Sequence, residues 1–173
     1  MAETESDSRL ELMSAQHMLR TLNRFSRQIL EDNRDELPIV IVGIDERGGY
    51  LAGLLSSILD REISASIQWA QLDVKHQSGK LNRNVRLDGV FLIVIDDVIF
   101  SGKTMFTAFR NLMDIGEPAL MKPAALIDRG HRKFPVEPQY VGKYSPTKFR
   151  EHVECHFTPE GKPDSVELIF QNG

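Results

Sequence analysis

VFLIVIDDVIFSGKT, residues 90–104, joins a continuous apolar run to two acids and then to a small polar turn. Six successive apolar residues from Val90 to Ile95 read as a strand buried on both faces, the pattern of a parallel sheet. The ending Ser101-Gly102-Lys103-Thr104 closes the phosphate-loop pattern G-x-x-x-x-G-K-[ST], but Asp97 stands where the first glycine belongs, with Asp96 beside it. Backbone N–H groups at the start of the following helix can hold a phosphate. The two carboxylates would repel a polyphosphate, yet they can accept hydrogen bonds from vicinal hydroxyls or act through Mg²⁺. Together they describe a sugar phosphate, with its hydroxyls at Asp96 and Asp97 and its 5′-phosphate at Ser101–Thr104.

Three competing roles for the acids fit less well. An ATPase acidic strand needs a separate intact phosphate loop, and the chain has none. A D-x-D phosphatase needs a carboxylate where Val98 stands. Acids that merely end a strand leave the ordered succession of acid pair, polar turn and helix start unexplained.

The rest of the chain repeats the alternation. Met18, Leu22, Phe25 and Ile29 recur at helical spacing between Ser14, a candidate N-cap, and Asn33. IVIVG from Ile39 is a second apolar run, and residues 43–49 are predicted to form a loop. Tyr50 to Ile58 is helical by period, ISASIQWAQ (63–71) alternates as a strand, and 104–115 is helical again. Pro123–Ile127 gives a further strand, and QYVG, HVECHF and VELIF are short strand candidates. KHQSGKLNRNVRLD (75–88) has no period and reads as a loop or hairpin covering the site. Strands alternating with helices indicate an α/β fold with a mainly parallel central sheet flanked by helices. Ligands bind such sheets beyond the carboxyl ends of the strands, where GIDERGG, DDVIFSGKT and DRGH are expected to converge.

Composition sets outer bounds. A chain of 173 residues has room for one domain's core, so 1–173 is expected to be one domain, with a disordered tail over residues 1–8. Hydrophobic residues at 41% and charged residues at 27% suit a globular protein, and no apolar run approaches the roughly 18 residues of a membrane span. The polar, acidic N-terminus and the single cysteine, Cys155, are those expected of a cytoplasmic protein. A net charge of −4 argues against a generally basic nucleic-acid coat. His152, Cys155 and His156 suggest a metal set, but on a strand 155 faces away from 152 and 156, so packing is the better reading.

LIVIDDVIFSGKT, 92–104, resembles the phosphoribosyl pyrophosphate (PRPP) motif of the type I phosphoribosyltransferases. LIDRGHRKFPVEPQYVGKYSPT, 126–147, and IVGIDERGGYLA, 41–52, resemble the PyrR family within them, the bifunctional pyrimidine operon attenuators and uracil phosphoribosyltransferases. The resemblance implies a type I phosphoribosyltransferase-like fold with a small hood of short strands. It also implies a reaction of uracil with PRPP to give UMP and pyrophosphate with Mg²⁺, which is bound mainly through PRPP rather than by direct protein ligands.

By the same resemblance, Asp96, Asp97 and Arg47 are the catalytic candidates. PRPP would be bound by Arg47, Gly48, Lys75 and the stretch Asp96, Asp97, Val98, Ile99, Phe100, Ser101, Gly102, Lys103 and Thr104. The base would lie against Ile127, Asp128, Arg129 and Val153. Relatives also bind a messenger-RNA leader in response to UMP, for which Arg20, Arg24, Arg27, His131 and Arg132 are the candidates, and they assemble as homo-oligomers.

Two departures bear on turnover. Asp45 and Glu46 precede Arg47 where relatives carry a basic or neutral residue and threonine, and Lys75 is the nearest match to the arginine of the family's lid. A purine phosphoribosyltransferase, or an RNA regulator with vestigial catalysis, remains the alternative.

Overall fold

All six residues of Ile39–Ile44 are buried, as are Phe91–Ile95, because each run lies inside a sheet covered on both faces. The computed structural model describes residues 8–63, 67–148 and 150–170. Along them run β1 (Ser8–Ser14), α1 (Ala15–Asp32), β2 (Ile39–Ile44), α2 (Asp45–Glu62), β3 (Gln68–Leu72), β4 (Phe91–Ile99), α3 (Lys103–Ile115), β5 (Leu120–Asp128), β6 (Tyr140–Tyr144), β7 (Glu151–Phe157) and β8 (Pro163–Phe170).

The main sheet has the order β3-β2-β4-β5-β6, and all its pairs are parallel. Strand alternation divides the core. Ile41, Ile93 and Ile95 pack with Leu22 and Phe25 of α1 and Leu55 of α2 on one face. Val40, Val42 and Val94 meet Met105 and Leu112 of α3 on the other. The N-terminus of α1 is capped as its sequence predicts, with the Ser14 hydroxyl accepting from the His17 N–H at 3.2 Å.

The expected hood is a three-stranded antiparallel sheet in the order β1-β8-β7. The expected tail is corrected at its edge: Ser8 pairs with Phe170 as the first residue of β1, while residues 1–7 lie outside the described residues. β1 is hidden in the sequence because it is an edge strand. Its first four residues are exposed, and a register shift between Glu11 and Met13 interrupts the alternation that would reveal it.

Residues 43–49 form no extended loop. β2 runs to Ile44 and α2 begins at Asp45, with the reversal absorbed at Asp45, whose φ is 52°. The glycines serve close approach: a Cβ on Gly43 would stand 1.9 Å from the Gly48 carbonyl oxygen. β4 likewise continues past Ile95, carrying Asp96 and Asp97 within the strand.

Segment 75–88 returns as a hairpin along the free edge of β3. Asp73 and Asn82 donate their N–H groups to Lys80 and Gln71 oxygens at 3.1 and 2.9 Å, and the Arg83 guanidinium stacks 3.7 Å from the Trp69 ring. A Gly43→Ala protein is expected to lose about 2 kcal/mol or more of stability, since backbone rather than a pliable side chain must move. A urea midpoint equal to that of the wild type would contradict this packing.

Candidate active site

The carboxyl ends of β2, β3 and β4 open into a cleft of about 770 Å³ whose wall includes Asp45, Arg47, Lys75, Asp96, Asp97 and Thr104. Two of the three expected loops therefore meet directly. The third, DRGH, buttresses the turn Ser101–Thr104: Arg129 N–H donates to the Ile99 carbonyl, and Lys133 and Phe134 N–H groups donate to that of Ser101, at 2.9–3.0 Å.

Asp96 and Asp97 differ in environment. Asp96 Oδ1 accepts from the Asp97 N–H at 2.9 Å, and Asp97 Oδ1 accepts from the Val98 N–H at 2.8 Å. Asp97 Oδ2 lies 3.5 Å from Arg47. Desolvation, followed by the charge of Asp97, pushes the Asp96 carboxyl well above the usual carboxylate range. β7 brings Cys155 against the same pair, and burial together with the nearby Asp97 charge pushes its thiol up. Nothing in the sequence places this cysteine, since it reaches the acids only through the hood.

Gly102 takes a left-handed φ of 82° to turn the chain from β4 into α3, and the Ser101 hydroxyl accepts from the Lys103 N–H at 3.3 Å. The first turn of α3 leaves N–H groups without intrahelical partners at the cleft. Lys103, Thr104 and Lys75 also line an adjoining cavity of about 540 Å³. Val98 packs on the same apolar cluster as Val153. Ile99 is buried in the opposite core, so its side chain is turned away from the cleft, whereas Phe100 is exposed and lies under Arg129, 4.3 Å from guanidinium to ring.

The two unusual acids before Arg47 both point to protein partners. Glu46 accepts from the Tyr50 hydroxyl at 2.8 Å, and Asp45 accepts from the Val74 and Lys75 N–H groups at 2.8 and 2.9 Å. Gly48 is pressed on β2 and β4, where a Cβ would stand 2.8 Å from the Ile95 carbonyl oxygen.

Around DRGH the charges are used internally. Asp128 is buried and holds the Gly130 N–H at 2.8 Å and Arg132 at 2.6 Å. Arg132 also donates to the Val136 and Phe100 carbonyls, each at 2.8 Å, and its side chain is 17% exposed. Arg129 donates to Thr147 and to the Glu151 carbonyl at 2.7 Å, and the His131 ring meets the Thr147 carbonyl at 3.1 Å. Ile127 is part of the main core. On α1, Arg24 turns back to the Val141 and Gly142 carbonyls at 2.9 and 3.2 Å, while Arg20 and Arg27 are exposed. All three arginines of the α1 face stay exposed, Arg24 with its guanidinium tied to β6.

Among the described residues no three His, Cys, Asp or Glu side chains converge as a metal-binding set. His152 and His156 share the outer face of the hood, each within 3.8 Å of Glu154, with Cys155 directed inward. No helix among the described residues is long and apolar enough to cross a membrane.

The family model for the phosphoribosyl transferase domain matches residues 8–157. The chain is similar to the bifunctional protein PyrR of Thermosynechococcus vestitus, 36% identical over 92% of this chain and 93% of that one. It is similar also to the bifunctional protein PyrR of Streptococcus thermophilus, 33% identical over 90% and 94%. Among solved structures, it shares its fold with a hypoxanthine phosphoribosyltransferase from Trypanosoma cruzi in complex with IMP. That match has a TM-score of 0.69 and 16% identity, covering 86% of this chain and 82% of the other. A hypoxanthine-guanine phosphoribosyltransferase from Bacillus anthracis matches with a TM-score of 0.65 and 21% identity over 83% and 87%.

Because the folded state holds Asp96 above its unfolded pKa, the contribution of this group to stability is full below the unfolded pKa, near 4, and is lost as pH rises through the folded value. Asp96→Asn keeps an oxygen for the Asp97 N–H and removes the buried charge. At pH 7 its melting temperature is expected to exceed that of the wild type by about 3 °C, a gain that shrinks toward pH 4. Equal melting curves at pH 7 would show that the carboxylate is well solvated.

Proposed function

Because the chain belongs to the PyrR family of type I phosphoribosyltransferases, we propose that it transfers the 5-phosphoribosyl group of PRPP to uracil, giving UMP and pyrophosphate. The observation that carries this reading is the placement of Asp96, Asp97 and Arg47 in one cleft wall with Thr104 of the phosphate turn. Asp96 and Asp97 hold the ribose 2′- and 3′-hydroxyls, and the turn Ser101–Thr104 with the start of α3 holds the 5′-phosphate.

As the bond from the anomeric carbon to pyrophosphate breaks, positive charge grows on the ribose and negative charge on the leaving oxygen. Arg47, 3.5 Å from Asp97, serves both sides: it neutralises Asp97 before binding and turns to the leaving pyrophosphate afterwards. The Gly48 region brings backbone close to that group, and Lys75 adds a cation from the lid. The acid pair fits Mg²⁺, bound mainly through the phosphates of PRPP, by way of the ribose hydroxyls it holds rather than as direct protein ligands. Mg²⁺ supplies charge neutralisation of the leaving group. As the bond to pyrophosphate breaks, uracil N1 bonds to the anomeric carbon and its proton passes to the departing pyrophosphate, which leaves with the electron pair.

Uracil is held beside Val153 and the Ile127–Arg129 backbone, and the choice of uracil over a purine rests on the resemblance of 126–147 and on the PyrR relatives. Phe100 and Arg129 form the flat wall available to a planar base. We place the reaction in the cytoplasm, in keeping with a lone buried thiol.

A second activity, UMP-responsive binding of a messenger-RNA leader by a homo-oligomer, is favoured by the exposure of Arg20 and Arg27 on one face of α1. Gel shifts with a pyrimidine-operon leader, with and without UMP, test it. Arg27→Ala is expected to lower the salt slope of binding by about 1, as for the loss of one phosphate contact. No salt-sensitive complex with the wild type would remove RNA from the function.

For transfer, labelled uracil with PRPP and Mg²⁺ should yield UMP, whereas turnover of guanine or hypoxanthine alone would move the chain to the purine branch. Asp97→Asn is expected to lower PRPP-dependent kcat/KM by about 10²-fold or more while its unfolding midpoint changes little. Wild-type rates in that variant would dismiss the acid pair from catalysis.

A further inference from the structure

Asp45, one of the two departures from the family pattern, is where the lid is attached. It opens α2 in the left-handed region, and its Oδ1 accepts from two consecutive residues where the lid segment begins, Val74 at 2.8 Å and Lys75 at 2.9 Å. Among the described residues these are the hydrogen bonds that cross from the lid to α2. Near this junction the other hydrogen bonds close on the hairpin itself or on β3, while the far end of the segment is anchored separately, with Leu87 buried against α3 and Asp88 accepting from the Glu117 N–H at 2.9 Å. Asp73 holds the His76 N–H and ring, at 3.1 and 3.0 Å, and Asn82 pairs with Gln71. One carboxylate thus joins the start of the lid to the turn that carries Arg47 two residues later, and both Asp45 and Lys75 stand in the walls of both cavities.

We propose that Asp45 is a positioning residue that latches the base of the lid to the start of α2, so that Lys75 is carried over the cleft in register with Arg47. The inference rests on the phosphoribosyl-transfer reading only for what the lid covers. A hydrogen bond to a charged acceptor is stronger than a neutral one, and two such bonds on one carboxylate outweigh what a solvated loop acid would contribute. An acid at this place has a rival role, simple repulsion of pyrophosphate, and the two roles predict opposite signs. Removing a repulsive charge lowers the KM for PRPP, whereas releasing a latch raises it.

Asp45→Asn and Asp45→Gly separate them. Asparagine keeps Oδ1 as an acceptor and tolerates the left-handed φ, so the latch survives without the charge. Glycine accepts the φ and removes the acceptor, so the latch is lost without backbone strain. Lys75 and Lys80 are exposed, and trypsin cleavage after them reports opening of the lid. Asp45→Gly is expected to be cut about tenfold faster than the wild type, with the KM for PRPP raised about threefold or more and kcat less affected. Asp45→Asn should stay within about twofold of the wild type in cleavage and in KM, and matched urea midpoints establish that both variants are folded.

Cleavage of Asp45→Gly at the wild-type rate overturns the latch. So does a lower KM in both variants with unchanged cleavage, which assigns Asp45 to charge repulsion. Faster cleavage in both variants alike also overturns it, since the shared acceptor would then be irrelevant. Should the wild type transfer no ribosyl group at all, the cleavage comparison still decides the latch, and the transfer reading fails alone.

Discussion

Two carboxylates placed side by side at a buried strand end repel one another, and the arrangement of this site follows from how that repulsion is contained. Asp96 is desolvated and held toward its neutral form, while Asp97 lies 3.5 Å from the Arg47 guanidinium. Arg47 reaches Asp97 because α2 starts directly at the end of β2, which requires Gly43 and Gly48 to lie against one another. The pair is thus a cost to folding, as expected where a site is arranged for a ligand rather than for stability.

The arginines around the cleft show a second constraint, the need to satisfy buried carbonyls where strands end. Arg132 spends its donors on Asp128, Val136 and Phe100, binding the turn after β5 to the turn after β4. Arg129 ties the same turn to the hood through Thr147 and Glu151. Arg24 covers the open carbonyls of β6 at the sheet edge. Basic residues that look free for phosphates in a linear reading are here fasteners between segments, even where, as at Arg24, they remain exposed.

Much of the fold was legible because it depends on short-range pattern. The runs at Ile39 and Val90, the helical spacing of Met18, Leu22, Phe25 and Ile29, and the Ser14 cap all appear where periodicity puts them. β1 was not legible, since an edge strand with a register shift buries too few residues to leave an alternation. The loop expected at 43–49 was a misreading of glycine: the residues serve close packing of helix on strand rather than a flexible turn.

The order of acid pair, polar turn and helix start is a local property, and the sequence alone determined it, together with a parallel sheet whose carboxyl ends carry the site. Tertiary structure decided which charges remain available. Asp45 meets Val74 and Lys75 about thirty positions away, Arg24 meets β6 more than a hundred away, and the hood lays Cys155 beside Asp97. Spacing along the chain carries no record of such partners, because a hydrogen bond is chosen by proximity in the folded state and by the desolvation of the groups left over.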